Sequence, residues 1–139
     1  MKKVLFVFML GAIVLVAVPA FAQTTTSTTT TAIACVGTAV NTRETAIDTA
    51  VGVHNQALTT SYTARATALQ QAYTDTTKAQ LSKDVKTAWA TFNQSVKTAN
   101  TALKTARNSA WSQFRTATKA CKAPSGVSDS ANSASDTAQ

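Results

Sequence analysis

The sequence is short of the residues that most catalytic and metal sites require. It contains one His, His54, and one Glu, Glu44, among only six acidic residues, and charged residues make up 14% of the chain. A metal site needs several His, Cys or carboxylate ligands that converge on one point. No motif places a nucleophile beside a base or forms a Gly-rich phosphate loop. We therefore expect no catalytic site, no metal or other cofactor and no small-molecule substrate, and we expect that the protein is not an enzyme.

Large apolar side chains are scarce as well. Aromatic residues account for 6% of the chain, and much of the 45% apolar fraction is Ala, since the 139 residues include 27 Ala and 26 Thr. An Ala side chain buries little area, and a chain of this length forms one domain at most. This composition excludes a large globular core.

The N-terminus has the pattern of a secretory signal peptide. Two Lys residues follow Met1, an apolar run covers 4–18, and the sequence Pro-Ala-Phe-Ala comes next. This pattern predicts a signal peptide at 1–22 that is cleaved between Ala22 and Gln23. Cleavage removes two positive charges and lowers the formal net charge from +7 to +5. We expect a periplasmic, cell-surface or extracellular protein; the alternative is an uncleaved membrane anchor, for which the apolar run is short.

Changes in composition divide the rest of the chain into three parts. Residues 23–31 are almost entirely Thr and predict a flexible, disordered linker. Residues 32–122 contain no Pro and only two Gly, so this segment is expected to be helical. Residues 123–139 hold mainly Ser, Ala, Asn and Asp and predict a disordered tail.

The helical segment repeats every eleven residues over 36–79 and again over 85–117. Eleven residues make three helical turns, so equivalent positions form one stripe along a helix. The leading position of the first block is always a large aliphatic residue: Val36, Ile47, Leu58 and Leu69. The position three residues later is small: Ala39, Ala50, Ser61 and Ala72. Each block therefore predicts an amphipathic helix with one apolar stripe.

The repeat slips its phase between the two blocks, which predicts a turn there. Thr77 and Gln80 fit a capping box at the start of a second helix. The predicted fold is all-α, a long antiparallel two-helix hairpin with helix 1 at about 33–75 and helix 2 at about 78–122.

The two cysteines support this hairpin. Cys35 and Cys121 lie equally far from the predicted turn, at the open end, and an exported protein can form a disulfide. Closing this loop stabilises the fold by about 4.6 kcal/mol in the chain-entropy model. Free thiols, an intermolecular bond and a lipidated Cys35 are the alternatives.

Pairing residues whose numbers sum to 157 places large side chains opposite small ones. Leu58 then faces Ala99, for example, which lets the helices approach closely. The centre of the stripe differs, because cationic and aromatic residues meet there. The predicted central pairs are Arg43 with Phe114, His54 with Leu103, and Arg65 with Phe92.

The ends of the helical segment resemble those of small secreted, Ala/Lys-rich bacterial helical proteins. The similar residues are Cys35-Val36 and Arg43-Glu44 at one end, and Ala110-Trp111, Phe114 and Lys119-Ala120-Cys121 at the other. The resemblance implies a secreted helical protein and implies no activity.

Positive charge is concentrated on the second helix. Five cations share two adjacent repeat positions and form what we call the basic ridge: Lys86, Lys97, Lys104, Arg115 and Lys119. The repeat places Trp89 and Trp111 beside this ridge. A linear row of cations edged by Trp suits an anionic polymer or an envelope surface. The simpler interpretation is a solvated face that keeps the protein soluble.

Thr residues also recur at fixed repeat positions. Thr38, Thr49 and Thr60 share one position, and Ala-rich helices with Thr every eleven residues resemble the fish type I antifreeze helices. The resemblance implies ice binding as a second alternative to a structural role.

The sequence as a whole predicts a secreted structural or interaction protein. Because two helices leave Trp and Tyr edges uncovered, we expect a homo-oligomer, a dimer that forms a four-helix bundle.

Overall fold

The structure is a computed structural model that describes residues 21–137 and the side chains of 28–136. The predicted signal peptide lies outside the described residues, apart from its last two positions. Within the described range, neither long helix contains a stretch apolar enough to span a bilayer.

Two long helices make up most of the structure. Helix α1 runs over Phe21–Ala72 and helix α2 over Lys78–Ala120. A short 3-10 helix at Ser130–Asn132 and helix α3 at Ser133–Thr137 follow, and no strand occurs between residues 21 and 137. The two long helices pack against each other. The predictions of an all-α protein and of a helical hairpin are confirmed.

The start of α2 agrees with the sequence pattern. Thr77 is the N-cap, and its hydroxyl accepts a hydrogen bond from the backbone N–H of Gln80 at 3.3 Å. This bond satisfies one of the free N–H groups at the helix start. The predicted N-cap is therefore confirmed, whereas the Gln80 side chain donates to Asp84 instead of reaching back to Thr77.

The start of α1 corrects the sequence prediction. The Thr-rich run at 23–31, which was expected to be a flexible linker, belongs to α1. No Pro or Gly separates this run from the apolar repeats, and Thr costs only about 0.7 kcal/mol or less per residue relative to Ala in a helix. Farther along α1, Thr hydroxyls donate to carbonyls four residues earlier, as Thr38 does to Ala34 at 3.2 Å. An established helix therefore continues through Thr at low cost.

The core is a thin seam between the helices rather than a globular interior. Small residues fill most of it, and the large buried rings lie near the open end. The buried apolar residues include Val36, Ala39, Ala72, Ala88, Ala99, Ala110, Trp111 and Phe114. Small side chains in the seam allow the two backbones to come close.

Contacts across the seam confirm two of the predicted central pairs. The guanidinium carbon of Arg43 lies 4.3 Å from the ring centre of Phe114. That of Arg65 lies 4.3 Å from the ring centre of Phe92. The third pair differs in detail, because the Nε2 atom of His54 hydrogen-bonds to Oδ1 of Asn100 at 2.8 Å.

A disulfide closes the open end. Cys35 and Cys121 form this bond with their Cα atoms 5.6 Å apart, as the sequence predicted. The covalent link joins the first part of α1 to the residue that ends α2.

The C-terminal tail also corrects the sequence prediction. Residues 123–137 were expected to be disordered, but they fold back onto the open end of the hairpin. The chain reverses through Lys122 and Gly126, whose φ angles are 51° and 85°. The carboxylate of Asp129 then reaches Arg43, and that of Asp136 reaches Trp111. Two charged contacts therefore order a segment that has little apolar content.

Candidate functional site: a basic ridge and an arginine cleft

The basic ridge lies on the exposed side of α2. Its five residues are all exposed, and within the described part of the chain none of them forms an ion pair. The acidic residue on the same helix, Asp84, accepts hydrogen bonds from the Nε2 atom of Gln80. The ridge is therefore a row of solvated positive charge available to an anion.

An exposed aromatic group flanks the ridge at one end. Trp89 is 44% exposed, and its ring packs edge-on against Phe92, with 5.9 Å between ring centres. The guanidinium of Arg65 lies 4.5 Å from the centre of the Trp89 ring. Tyr62 is also exposed and lies 4.9 Å from Phe92. The expectation that aromatic edges stay uncovered is confirmed for Trp89 and Tyr62.

Trp111 does not belong to this exposed surface, which corrects its assignment to the ridge. It is only 4% exposed, and its Nε1 atom donates a hydrogen bond to Oδ2 of Asp136 at 2.8 Å. The repeat position of Trp111 matches that of Trp89, so the sequence pattern could not separate them. The difference arises because the tail covers only the open end.

The same end contains a cleft built around Arg43, which is only 5% exposed. Its guanidinium carbon lies 4.0 Å from the ring centre of Trp111 and 4.3 Å from that of Phe114. Its two terminal nitrogens donate to the two carboxylate oxygens of Asp129 at 2.8 and 2.9 Å. Its Nε atom donates to Glu44 at 2.8 Å. We call the site formed by Arg43, Arg107 and Trp111 the arginine cleft.

The ion pair between Arg43 and Asp129 shifts the pKa of both groups. The hydrogen bond from Arg43 holds the pKa of Asp129 below its usual value, against an opposing effect of burial. The hydrogen bond with Asp129 raises the pKa of Arg43. Both groups therefore stay charged over the neutral range.

Arg107 belongs to the arginine cleft through Asp136, the residue that also contacts Trp111. The Nε atom of Arg107 lies 3.9 Å from Oδ1 of Asp136, beyond hydrogen-bond distance. This Nε atom is buried and has no hydrogen-bond partner among the described residues. The carboxylate of Asp136 is therefore shared between the indole of Trp111 and a loosely placed guanidinium.

An uncharged groove runs between the helices on another face. Its central part has a volume of about 720 Å³, and none of its lining residues carries a formal charge. Ala side chains from both helices form its floor, and Val53 on its wall is 64% exposed. Thr49, Thr60 and Thr98 also line it, so two of the recurring Thr positions meet there.

The turn between the helices brings two carboxylates together. Burial of the carboxyl group and the nearby charge of Asp84 raise the pKa of Asp75. Among the described residues, no three His, Cys, Asp or Glu side chains are close enough to hold a metal ion. Asp75 and Asp84 therefore lie near each other without a third residue, among those described, that could complete a metal site.

Comparison with protein-family models, with curated proteins and with solved structures finds no match for this chain.

Proposed function

We propose that the chain is an exported, non-enzymatic interaction module. In this proposal it is an antiparallel hairpin of 11-residue repeats. Residues at the same repeat position lie along one side of a helix and together form one surface. Two contacts support this arrangement. Arg65 lies two repeats after Arg43 on α1, and its partner Phe92 lies two repeats before Phe114 on α2. The disulfide supports export, because such bonds persist in oxidising compartments outside the cytoplasm.

The binding surface in this proposal is the basic ridge, and its partner is an anionic polymer or an anionic envelope surface. The observation that carries the proposal is that five exposed cations lie in a row along one helix and form no ion pair with any described residue. Two cations outside the ridge, Arg43 and Arg107, face carboxylates of the tail. The acids of the tail therefore pair with these two arginines and leave the ridge for a partner.

The length of the ridge matches a linear partner better than a small anion. Helix α2 has 43 residues and extends about 65 Å at 1.5 Å per residue. Cations that are 11 residues apart on it lie about 16 Å from each other, so they contact separated charges of one polymer. Trp89 adds an exposed ring beside them, on which a base or sugar ring can stack.

A pair of single variants tests this proposal. Lys97→Gln removes a charge from the middle of the ridge, whereas Lys83→Gln removes the same charge from an exposed residue at a different repeat position. We expect Lys97→Gln to weaken binding of a single-stranded oligonucleotide probe severalfold and Lys83→Gln to have a smaller effect. Equal losses of affinity in both variants would show that the oligonucleotide responds only to the net charge of the protein, and would contradict a defined ridge.

Ice binding remains the second candidate. The observation that favours it is the uncharged groove, in which Thr49, Thr60 and Thr98 lie beside Ala side chains of both helices. Measurement of thermal hysteresis on the purified protein separates the two candidates. Thermal hysteresis that Thr49→Lys abolishes would favour the groove over the ridge as the functional surface.

A further inference from the structure

The arginine cleft at the open end has the features of a ligand site whose occupant is part of the same chain. Arg43 is held between two aromatic rings and is almost fully buried. A buried guanidinium requires an anionic partner, and Arg43 has two, Glu44 on its own helix and Asp129 of the tail. The pairing with Asp129 is bidentate, a geometry in which the planar fork of Arg matches a carboxylate.

A second carboxylate of the tail enters the same cleft. Asp136 accepts a hydrogen bond from Trp111 at 2.8 Å and lies near the orphaned Nε atom of Arg107. The cleft thus accepts two carboxylates that are seven residues apart in sequence. Asp136 leaves the Nε atom of Arg107 without a hydrogen bond. A different carboxylate that came within hydrogen-bond distance of this atom would bind more favourably.

The tail contains few large apolar side chains. Its 3-10 helix at Ser130–Asn132 contains no buried residue, and the helix that follows spans only Ser133–Thr137. Apart from Val127, its side chains from Ser125 onward are Ser, Ala, Asn, Asp, Thr and Gln. The carboxylates of Asp129 and Asp136 are therefore prominent contacts between the described tail and the hairpin, as acidic groups are in a bound acidic peptide.

We propose that the arginine cleft is a binding site for acidic peptide segments and that the C-terminal tail occupies it as an intramolecular competitor. The tail is tethered just beyond Cys121, so its effective concentration at the cleft is of millimolar order. An external acidic segment must displace the tail. The apparent affinity of that segment is therefore reduced by the fraction of molecules in which the tail occupies the cleft. Displacement exchanges one carboxylate for another, so Arg43 never remains buried without a partner.

The test uses the oxidised chain with Asp129→Asn and Asp136→Asn, which weakens the competitor and leaves the hairpin unchanged. The probe is a fluorescently labelled synthetic peptide of residues 125–139, and its anisotropy reports binding. We expect the double variant to bind this peptide at least tenfold more tightly than the parent chain does. The same peptide with Asn at both Asp positions should bind neither protein.

Two further variants assign the binding to the cleft. Arg43→Gln in the double-variant background should abolish binding, whereas Lys97→Gln on the basic ridge should leave it unchanged. Circular dichroism of each protein checks that the hairpin is intact. A gain below tenfold, undetectable binding by the double variant, or binding that survives Arg43→Gln in a folded protein would overturn the proposal.

Discussion

At the scale of single residues, Arg43 connects the hairpin to its tail. Its guanidinium contacts two aromatic rings and two carboxylates, so it combines stacking with charge-assisted hydrogen bonds. Stacked, bidentate geometry is specific to Arg, because the Lys ammonium is a point charge without a planar fork. Arg43 is therefore one of the residues that hold the tail on the hairpin.

The pKa of Asp129 predicts how acid affects the tail. A lowered pKa in the folded state means that Asp129 stabilises docking at pH values above its unfolded pKa, about 3.9. This stabilisation is lost as the pH falls through the lower folded pKa. In a Trp89→Phe variant the emission of Trp111 should change with a midpoint below about 3.9. Asp129→Asn should remove this transition; an unchanged transition would show that Asp129 does not cause it.

At the scale of helices, the eleven-residue stripe predicts which substitutions matter. Leu58 is half-buried in the seam and Thr60 is exposed, although they are only two residues apart. Leu58→Asp should destabilise the hairpin by about 1–3 kcal/mol, because it places a carboxylate in an apolar seam. Thr60→Asp should stay within about 0.5 kcal/mol of the parent. Thermal unfolding followed by circular dichroism compares them, and similar losses would contradict the stripe.

The sequence predicted the elements that follow from local rules. The pairing read from the sequence placed Arg65 opposite Phe92, and the N-cap residue Thr77 gave the start of α2. The start of α1 was missed because a Thr run reads as a spacer, although each Thr costs a helix little. The tail was missed for a different reason. Its docking depends on Asp129 finding Arg43 across 86 residues, and nothing local to the tail indicates that pairing.

At the scale of the whole molecule, the disulfide and the tail stabilise the same end. Reduction should lower the free energy of unfolding by up to about 4.6 kcal/mol, the loop-entropy value for a separation of 86 residues. Urea unfolding with and without a reductant measures this difference. The Cys35→Ser, Cys121→Ser double variant should match the reduced protein. Indistinguishable urea midpoints for oxidised and reduced protein would mean that the bond constrains the unfolded chain little.

The paired and the unpaired positive charges lie in different parts of the molecule. Acidic residues of the tail neutralise Arg43 at the open end, while the basic ridge has no acidic partner in the described structure. The molecule therefore presents a positive row along one helix and an uncharged groove between the two. This separation is the basis for assigning the ridge to an anionic partner.

The salt dependence of oligonucleotide binding tests that assignment most directly. Each phosphate that the ridge neutralises should contribute a log–log slope of about −0.7 for a single strand. Replacing Lys86, Lys97 and Lys119 together by Gln should flatten the slope by about two units, with helix content unchanged because Gln also favours helices. If the triple variant bound as tightly as the parent chain at every salt concentration, the ridge would be only a solvated face and the proposed function would be wrong.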